Sequence, residues 1–174
     1  MHKNYNFSTN RLTIREWHSW GGGELSETLP TIVQRILTPA VTDTLPPMWQ
    51  GEYTLQRAME WLEELDREAT VLLVMDSDLS TAIGLVILFE VDTSERGSDL
   101  RLGYMFAEAS WGKGYATELI AGFAAWCKEH DIATVTAGVE SQNRASIRVL
   151  EKNGFTLAED MEESEELTFV VDFT

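Results

Sequence analysis

Leu102-Gly-Tyr-Met-Phe-Ala-Glu-Ala-Ser-Trp-Gly-Lys-Gly-Tyr-Ala-Thr-Glu118 is the stretch on which the fold turns. A β-rich run, Leu100 to Phe106, leads into Gly112 and Gly114. Beyond them Ala116, Leu119, Ile120, Phe123, Ala124 and Cys127 repeat at intervals of three and four, the spacing of a helix. Glycines between a strand and a helix let backbone N–H groups approach a ligand closely. The first helical turn adds unpaired donors and the positive end of the helix dipole. An anionic phosphate is what such a place binds. GxxxxGK[ST] is absent, so this is not a Walker loop, and Thr117 stands where the third glycine of GxGxxG would be, so it is not a dinucleotide fingerprint. On Gly-x-Gly alone, a plain tight turn reads equally well.

Working outward, Ala133 to Glu140 reads as the next strand. Asn143 can cap a helix over Arg144 to Lys152, which Asn153-Gly154 closes with residues that tolerate a left-handed backbone. Strands at Phe155 to Ala158 and Leu167 to Phe173 end the chain. Upstream, Leu12 and Ile14 alternate with Arg11, Thr13 and Arg15 in a short opening strand. Helices are expected from Glu24 to Leu37 and from Thr54 to Arg67, the second presenting Leu55, Ala58, Met59, Leu62 and Leu65 on one face. Thr38 to Gln50 is expected to be a loop. Val71 to Asp76, Ala82 to Val91 and Leu100 to Phe106 read as an antiparallel meander. The expected order is β αα βββ α β α ββ, in one domain over residues 1–174.

The Gly loop and the segment Asn143-Arg-Ala-Ser146-Ile-Arg148, 26 residues on from Thr117, together resemble the GNAT acyl-CoA N-acyltransferases, in particular the RimJ/RimL-like branch of ribosomal-protein N-terminal acetyltransferases. The opening Thr9-Asn10-Arg11-Leu12-Thr13-Ile14-Arg15 and Gly103-Tyr104 carry the same resemblance. It implies an α/β GNAT fold: a mixed, mostly antiparallel sheet with helices on both faces and a splayed parallel pair made of the Leu100 and Ala133 strands. It also implies a transferase with acetyl-CoA as co-substrate and a primary amine as acceptor. Amides from Gly112, Lys113, Gly114, Tyr115 and Ala116 would hold the pyrophosphate. Backbone groups of Tyr104, Met105 and Phe106 would pair with the pantetheine arm as an added strand would. Asn143 could bond that arm, with Ser146 one turn further on the same helix face. Lys113, Arg144 and Arg148 are candidate phosphate partners, simple solvation being the plain alternative for each.

In such enzymes the amine attacks the thioester directly, a backbone amide steadies the oxyanion, and an acid protonates the leaving thiolate. Many relatives carry a Tyr acid where this chain has Leu150, and a Glu where it has Gly138. Ser146 is the substitute for positioning the sulfur, and Glu140, on the same strand face as Gly138, the substitute base; Glu90 and Glu108 are further carboxylates. The missing base suits an α-amine, so a protein or peptide N-terminus is the first expectation for the acceptor. A small cationic amine, such as an aminoglycoside or polyamine, is the second, and a silent acyl-CoA-binding module is the rival from another class.

Composition sets the remaining limits. Thirteen Lys and Arg against 29 Asp and Glu give a net charge of −16, the wrong balance for a basic nucleic-acid reader. The acidic run Glu159 to Glu166 is read either as a solvated turn or as a surface that steers a cationic acceptor. The lone Cys127 offers no internal disulfide, and neither it nor the scattered His2, His18 and His130 suggest a metal-ligand set. No run approaches the roughly 18 apolar residues of a membrane span, and the start lacks the apolar core of a signal peptide. A cytoplasmic protein is expected. Trp17, Trp20, Met48, Trp49 and Tyr53 are read as core or as lining of an acceptor pocket.

Overall fold

The computed structural model of the chain describes residues 3–21, 23–78, 81–158 and 165–174. Its first strand, β1 (Phe7–Ser8), has no counterpart in the sequence reading, because two residues are too few to show alternation. It pairs antiparallel with β2 (Leu12–Glu16), whose Leu12 and Ile14 are fully buried as their alternation requires.

Proline placement corrects the first helix. α1 runs Leu29–Ile36 rather than from Glu24, with Pro30 in its opening turn, where a missing N–H and a fixed φ cost nothing. The expected loop 38–50 also holds helical turns. Thr38 accepts from the Val41 N–H and so caps α2 (Pro39–Thr42), and Pro47–Trp49 is a 3-10 turn. α3 spans Leu55–Glu68, capped by Thr54, but the face it buries is Ala58, Trp61 and Leu65. Leu55 and Met59 lie exposed on the other side of the stripe. Trp61 draws the helix inward, since a large aromatic surface outweighs two flexible aliphatics.

β3 (Thr70–Asp76) pairs antiparallel with β2, Leu12 opposite Asp76 and Ile14 opposite Val74. β4 (Thr81–Ser94) and β5 (Gly97–Phe106) follow, then α4 (Tyr115–Lys128), β6 (Ile132–Glu140), α5 (Arg144–Lys152), β7 (Thr156–Leu157) and β8 (Glu166–Asp172). α4 buries Leu119, Ile120, Phe123, Trp126 and Cys127, while α5 buries Leu150. The strands form one mixed sheet in the order β1-β2-β3-β4-β5-β6-β8-β7. β5 and β6 are its parallel pair, in register from Ser98↔Ile132 to Leu102↔Ala137, and β6 and β7 each pair antiparallel with β8. None of the described helices is long and apolar enough to cross a membrane.

Contacts group the chain into two compact units, Met1–Ile87 with Tyr104–Tyr115, and Leu88–Gly103 with Ala116–Thr174. In the first, α1 packs on α3 and α3 on β3. In the second, the entry to the parallel pair is unusually close. Gly97 has φ +122°, and a Cβ built there would lie 2.4 Å from the Asp131 carbonyl oxygen. The Ser98 N–H donates to that same oxygen, and the register shifts between Ser98 and Asp99. A side chain at 97 would abolish this approach.

Candidate functional site

Within the first unit, Gly112 and Gly114 both adopt positive φ, +73° and +79°, a region L side chains enter only at a cost. Gly114 therefore ends the loop instead of opening α4, which begins at Tyr115. No backbone N–H of Gly112, Lys113 or Gly114 has a protein acceptor among the described residues. Exposed donors turning into a helix N-terminus are what an anionic phosphate requires.

The loop is braced from beneath. The Tyr115 ring stacks on Phe106 at 6.2 Å, and its hydroxyl donates to Asp76 Oδ2 at 3.1 Å. Asp76 is buried, and its Oδ1 accepts from the Asp78 N–H. Arg11 donates through Nη1 to the Lys113 carbonyl at 2.9 Å and lies over the Tyr115 ring, 4.3 Å from its centroid. Arg11 and Asp76 are absent from the sequence-derived site. Their bonds to the loop span 102 and 39 residues of chain, and only the position of Arg11 in the opening Thr9–Arg15 motif hinted at a role.

On β5, Met105 and Phe106 bury their side chains. Gly84 of β4 lets them come so close, since a Cβ there would meet the Met105 carbonyl at 2.8 Å and the Phe106 ring at 2.9 Å. The Phe106 carbonyl already accepts from the Trp111 indole N–H at 2.9 Å. Of the expected backbone partners on Tyr104, Met105 and Phe106, that carbonyl has only its second lone pair to offer.

The aromatic residues divide. Trp17 is core, donating from Nε1 to Asp66 and meeting Trp61 edge-on. Trp20 lies under the Arg15 guanidinium. Met48, Trp49 and Tyr53 do line a cleft of about 160 Å³, with Arg57, Glu60, Trp61 and Glu64. Arg57 is spent on structure there, donating to the Met48, Gln50 and Glu52 carbonyls with its face on Tyr53. Burial raises the pKa of the Tyr53 hydroxyl, with nearby Arg57 opposing and Glu64 adding to the shift.

Within the second unit, Asn143 caps α5, its Oδ1 accepting from the Ser146 N–H at 3.2 Å. With the oxygen so engaged, the amide Nδ2 is left as a donor with no protein acceptor among the described residues. Ala116, Asn143 and Ser146 are half-buried, while Arg144 and Arg148 are exposed and pair with no carboxylate among the described residues. Leu150 is buried, so that position serves packing.

Glu140 is exposed at the end of β6, directly opposite Glu166 on β8. Facing carboxylates repel, and Glu166 leans away over Gly138, where a Cβ would lie 2.6 Å from its Oε1. There it accepts from Arg101 Nη2 at 3.4 Å. A carboxylate from the neighbouring strand thus fills the space that a side chain at 138 would take. Sequence reading placed Glu166 only in the acidic run, because the β6–β8 register is what brings it over Gly138. Residues 159–164 of that run lie outside the described residues, as does His2. Glu108 stands in the 3-10 turn ahead of the Gly loop, and Glu90 accepts from Thr93 and Ser98.

The acetyltransferase (GNAT) domain family model matches residues 11–156. None of the curated proteins matches the chain in sequence. Among solved structures, an acetyltransferase of the GNAT family from Bacillus anthracis is 17% identical, covers 97% of this chain and 98% of its own, and superposes with a TM-score of 0.74. RimL, a ribosomal L7/L12 α-N-protein acetyltransferase solved with coenzyme A, gives 17% identity, 98% coverage of both chains and a TM-score of 0.73. Spermidine N-acetyltransferase from Vibrio cholerae, solved with CoA and spermine, gives 17% identity, 93% and 95% coverage and a TM-score of 0.67.

Proposed function

From the premise that this chain belongs to the GNAT family and is an acetyltransferase using acetyl-CoA, we propose that it acetylates the α-amine of a protein or peptide N-terminus. The RimJ/RimL-like branch and a cytoplasmic setting are part of the same proposal. The likeness of fold to RimL, a ribosomal L7/L12 α-N-protein acetyltransferase, supports the first. The single thiol, buried on α4, suits the second.

The loop amides carry the donor half of the reading. Gly112, Lys113, Gly114, Tyr115 and Ala116 would hold the diphosphate by backbone donors, each worth about 0.3–1 kcal/mol where exposed and up to roughly 2 where partly buried. Tyr104 to Phe106 and the free amide Nδ2 of Asn143 would hold the pantetheine arm. Acetyl-CoA supplies an acyl group already activated as a thioester. The chain's own task is to orient it and to manage one proton. Ser146, in the first turn of α5, would position the sulfur. Glu140, with Glu166 beside it, would receive the amine's proton.

The observation that carries the acceptor is the sparseness of proton-handling groups at the expected places. Position 138 has no side chain, position 150 is buried leucine, and Glu166 is tied to Arg101. An α-amine with a pKa near 7.7 is roughly one-sixth neutral at pH 7, whereas a lysine amine is neutral about once in 2,500, a penalty of about 4.6 kcal/mol. A site with little base chemistry favours the amine that needs least. The cleft beside Glu60 and Glu64 supports the second reading, a small cationic amine, as does the likeness of fold to the spermidine N-acetyltransferase of Vibrio cholerae.

Thiol release from acetyl-CoA across an amine panel tests this. Peptides with a free α-amine should exceed spermidine and aminoglycosides in kcat/KM at pH 7, with a profile that levels off above about pH 7.7. A profile still climbing past pH 9, with spermidine preferred, would replace the first reading by the second. Binding without turnover on any amine would leave an acyl-CoA-binding module.

A further inference from the structure

Arg11 stands just ahead of β2, and nothing in the reaction outlined above uses it. Its backbone is pinned by the Ser77 N–H, which donates to the Arg11 carbonyl at 2.9 Å and extends the β2–β3 pairing. Its side chain goes to the glycine loop. Nη1 holds the Lys113 carbonyl at 2.9 Å, the guanidinium covers the Tyr115 ring, and Nη2 would lie 3.6 Å from a Cβ on Gly114.

The consequence follows from peptide geometry. No peptide among the described residues is cis, and in a trans peptide the carbonyl and the following N–H point to opposite sides. With the Lys113 carbonyl held toward Arg11, the Gly114 N–H is turned away from it, and that N–H has no protein acceptor among the described residues. The positive φ of Gly114 then lets the chain enter α4 without turning the peptide back. Tyr115, fixed by Asp76 and Phe106, supplies the surface on which the guanidinium rests. Arginine fits the task and lysine does not, because only the planar fork can donate in its plane while its face lies on a ring. Arg15, on β2 itself, is committed elsewhere: to Glu24 at 3.1 Å, to the Ser19 carbonyl at 2.6 Å and to the Trp20 ring.

We propose that Arg11 is a positioning residue for the acyl donor, a clamp that holds the 113–114 peptide with its N–H presented to the diphosphate. The proposal rests on the assignment of that loop to the diphosphate. A charge-assisted hydrogen bond to a backbone carbonyl is among the stronger ones a side chain makes, so its loss should be visible in affinity.

The test is calorimetric titration with CoA and with pantetheine, which lacks the diphosphate, on wild type, Arg11→Ala, Arg11→Lys, Arg15→Ala and Gly114→Ala. Arg11→Ala should bind CoA about 10-fold more weakly, with pantetheine affinity within about twofold of wild type. Arg11→Lys should lie between the two. Arg15→Ala should stay within about twofold for CoA. If Arg11→Ala weakens both ligands equally, Arg11 serves only the fold and the clamp is refuted. If it leaves CoA unchanged while Gly114→Ala does not, the clamp falls and the loop assignment stands. If Gly114→Ala and Arg11→Ala both leave CoA unchanged, the loop assignment falls and takes the clamp with it. Should Arg11→Ala fail to fold, Arg11→Lys gives the same comparison, and equal affinity to wild type for CoA overturns the proposal.

Discussion

Gly97 and Gly138 stand on the two strands of the parallel pair, and both leave too little room for a methyl group, 2.4 Å and 2.6 Å from the nearest oxygen. Substitution by alanine should nevertheless have opposite results. At 97 the obstructing atom is the Asp131 backbone carbonyl, held by the Ser98 N–H, and φ is +122°. Backbone strain of that kind costs on the order of 1–3 kcal/mol, and the chain must also open the Gly97–Asp131 approach, so a total of about 3–4 kcal/mol is expected. For a chain of this size that is a fall in Tm of roughly 6–16 °C. At 138 the obstructing atom is the tip of the exposed, rotatable Glu166 side chain, whose pairing with Arg101 at 3.4 Å is worth at most about 1 kcal/mol. Alanine also suits a strand better than glycine, so Gly138→Ala should leave Tm within about 2 °C. Thermal unfolding by circular dichroism measures both. Equal losses, or a larger one at 138, would refute the view that the rigidity of the contacted atom decides the cost. Gly138→Ala then becomes a clean probe of function, because it displaces Glu166 in a folded protein. A fall in kcat/KM with Tm unchanged would place that carboxylate in the reaction.

Asn143 combines a structural oxygen with a proposed functional nitrogen, and two substitutions separate them. Asn143→Ala should cost about 1 kcal/mol by removing the cap on Ser146, a Tm fall of roughly 2–4 °C, and should raise KM for acetyl-CoA. Asn143→Asp keeps a capping oxygen and loses the donor, so KM should rise while Tm holds, as thermal melts and donor titration will show. Cys127 is the third case: burial pushes its thiol up to about 12 from an ordinary 9.0. At pH 8 its thiolate fraction, and with it alkylation by iodoacetamide, should be roughly 1,000-fold lower in the native protein than in denaturant, as mass spectrometry can follow. The sign for stability follows from the raised value. The thiol adds no pH dependence below the unfolded pKa, and stability is lost as pH rises from about 9 toward 12, because the unfolded thiol ionises first. Cys127→Ala should remove that part of the alkaline slope.

Patterns confined to one element were legible in the sequence. The α5 bounds, the α4 helix and the strand ends of β3 and β6 follow from spacing and capping residues that act over three or four positions. Prolines were legible in kind but misweighed in place: Pro30 opens α1 partway into the stretch read as helix from Glu24, and Pro39 opens α2 inside the stretch Thr38 to Gln50 read as a loop. The face of α3 was misread because period alone cannot tell which of two adjoining stripes is buried. The choice fell to Trp61, whose ring meets Trp49 and Tyr53 from the segment ahead of α3 and Trp17 from the distant turn after β2. In the candidate site the glycine loop and Asn143 could be found, being local motifs. Arg11, Asp76 and Glu166 could not, because each reaches its partner through strand register, and register is fixed by the whole sheet.

That division explains how a chain of net charge −16 can be read as binding a highly anionic donor. Net charge acts at long range, and beyond about 8 Å physiological salt screens most of it. The donors offered by Gly112 to Gly114 are neutral amides, whose strength depends on orientation rather than on any surplus of cations. Orientation is what Arg11 would supply, one guanidinium spent on turning a peptide instead of on direct charge neutralisation. On this view, replacing surface carboxylates elsewhere should change CoA affinity little, whereas a single loss at Arg11 should change it markedly. The contrast is between a field, which salt removes, and a geometry, which it does not. The CoA affinity lost in Arg11→Ala should therefore persist at 0.5 M salt, where the Debye length is below about 8 Å. A penalty that vanished there would mean that Arg11 acts by charge alone.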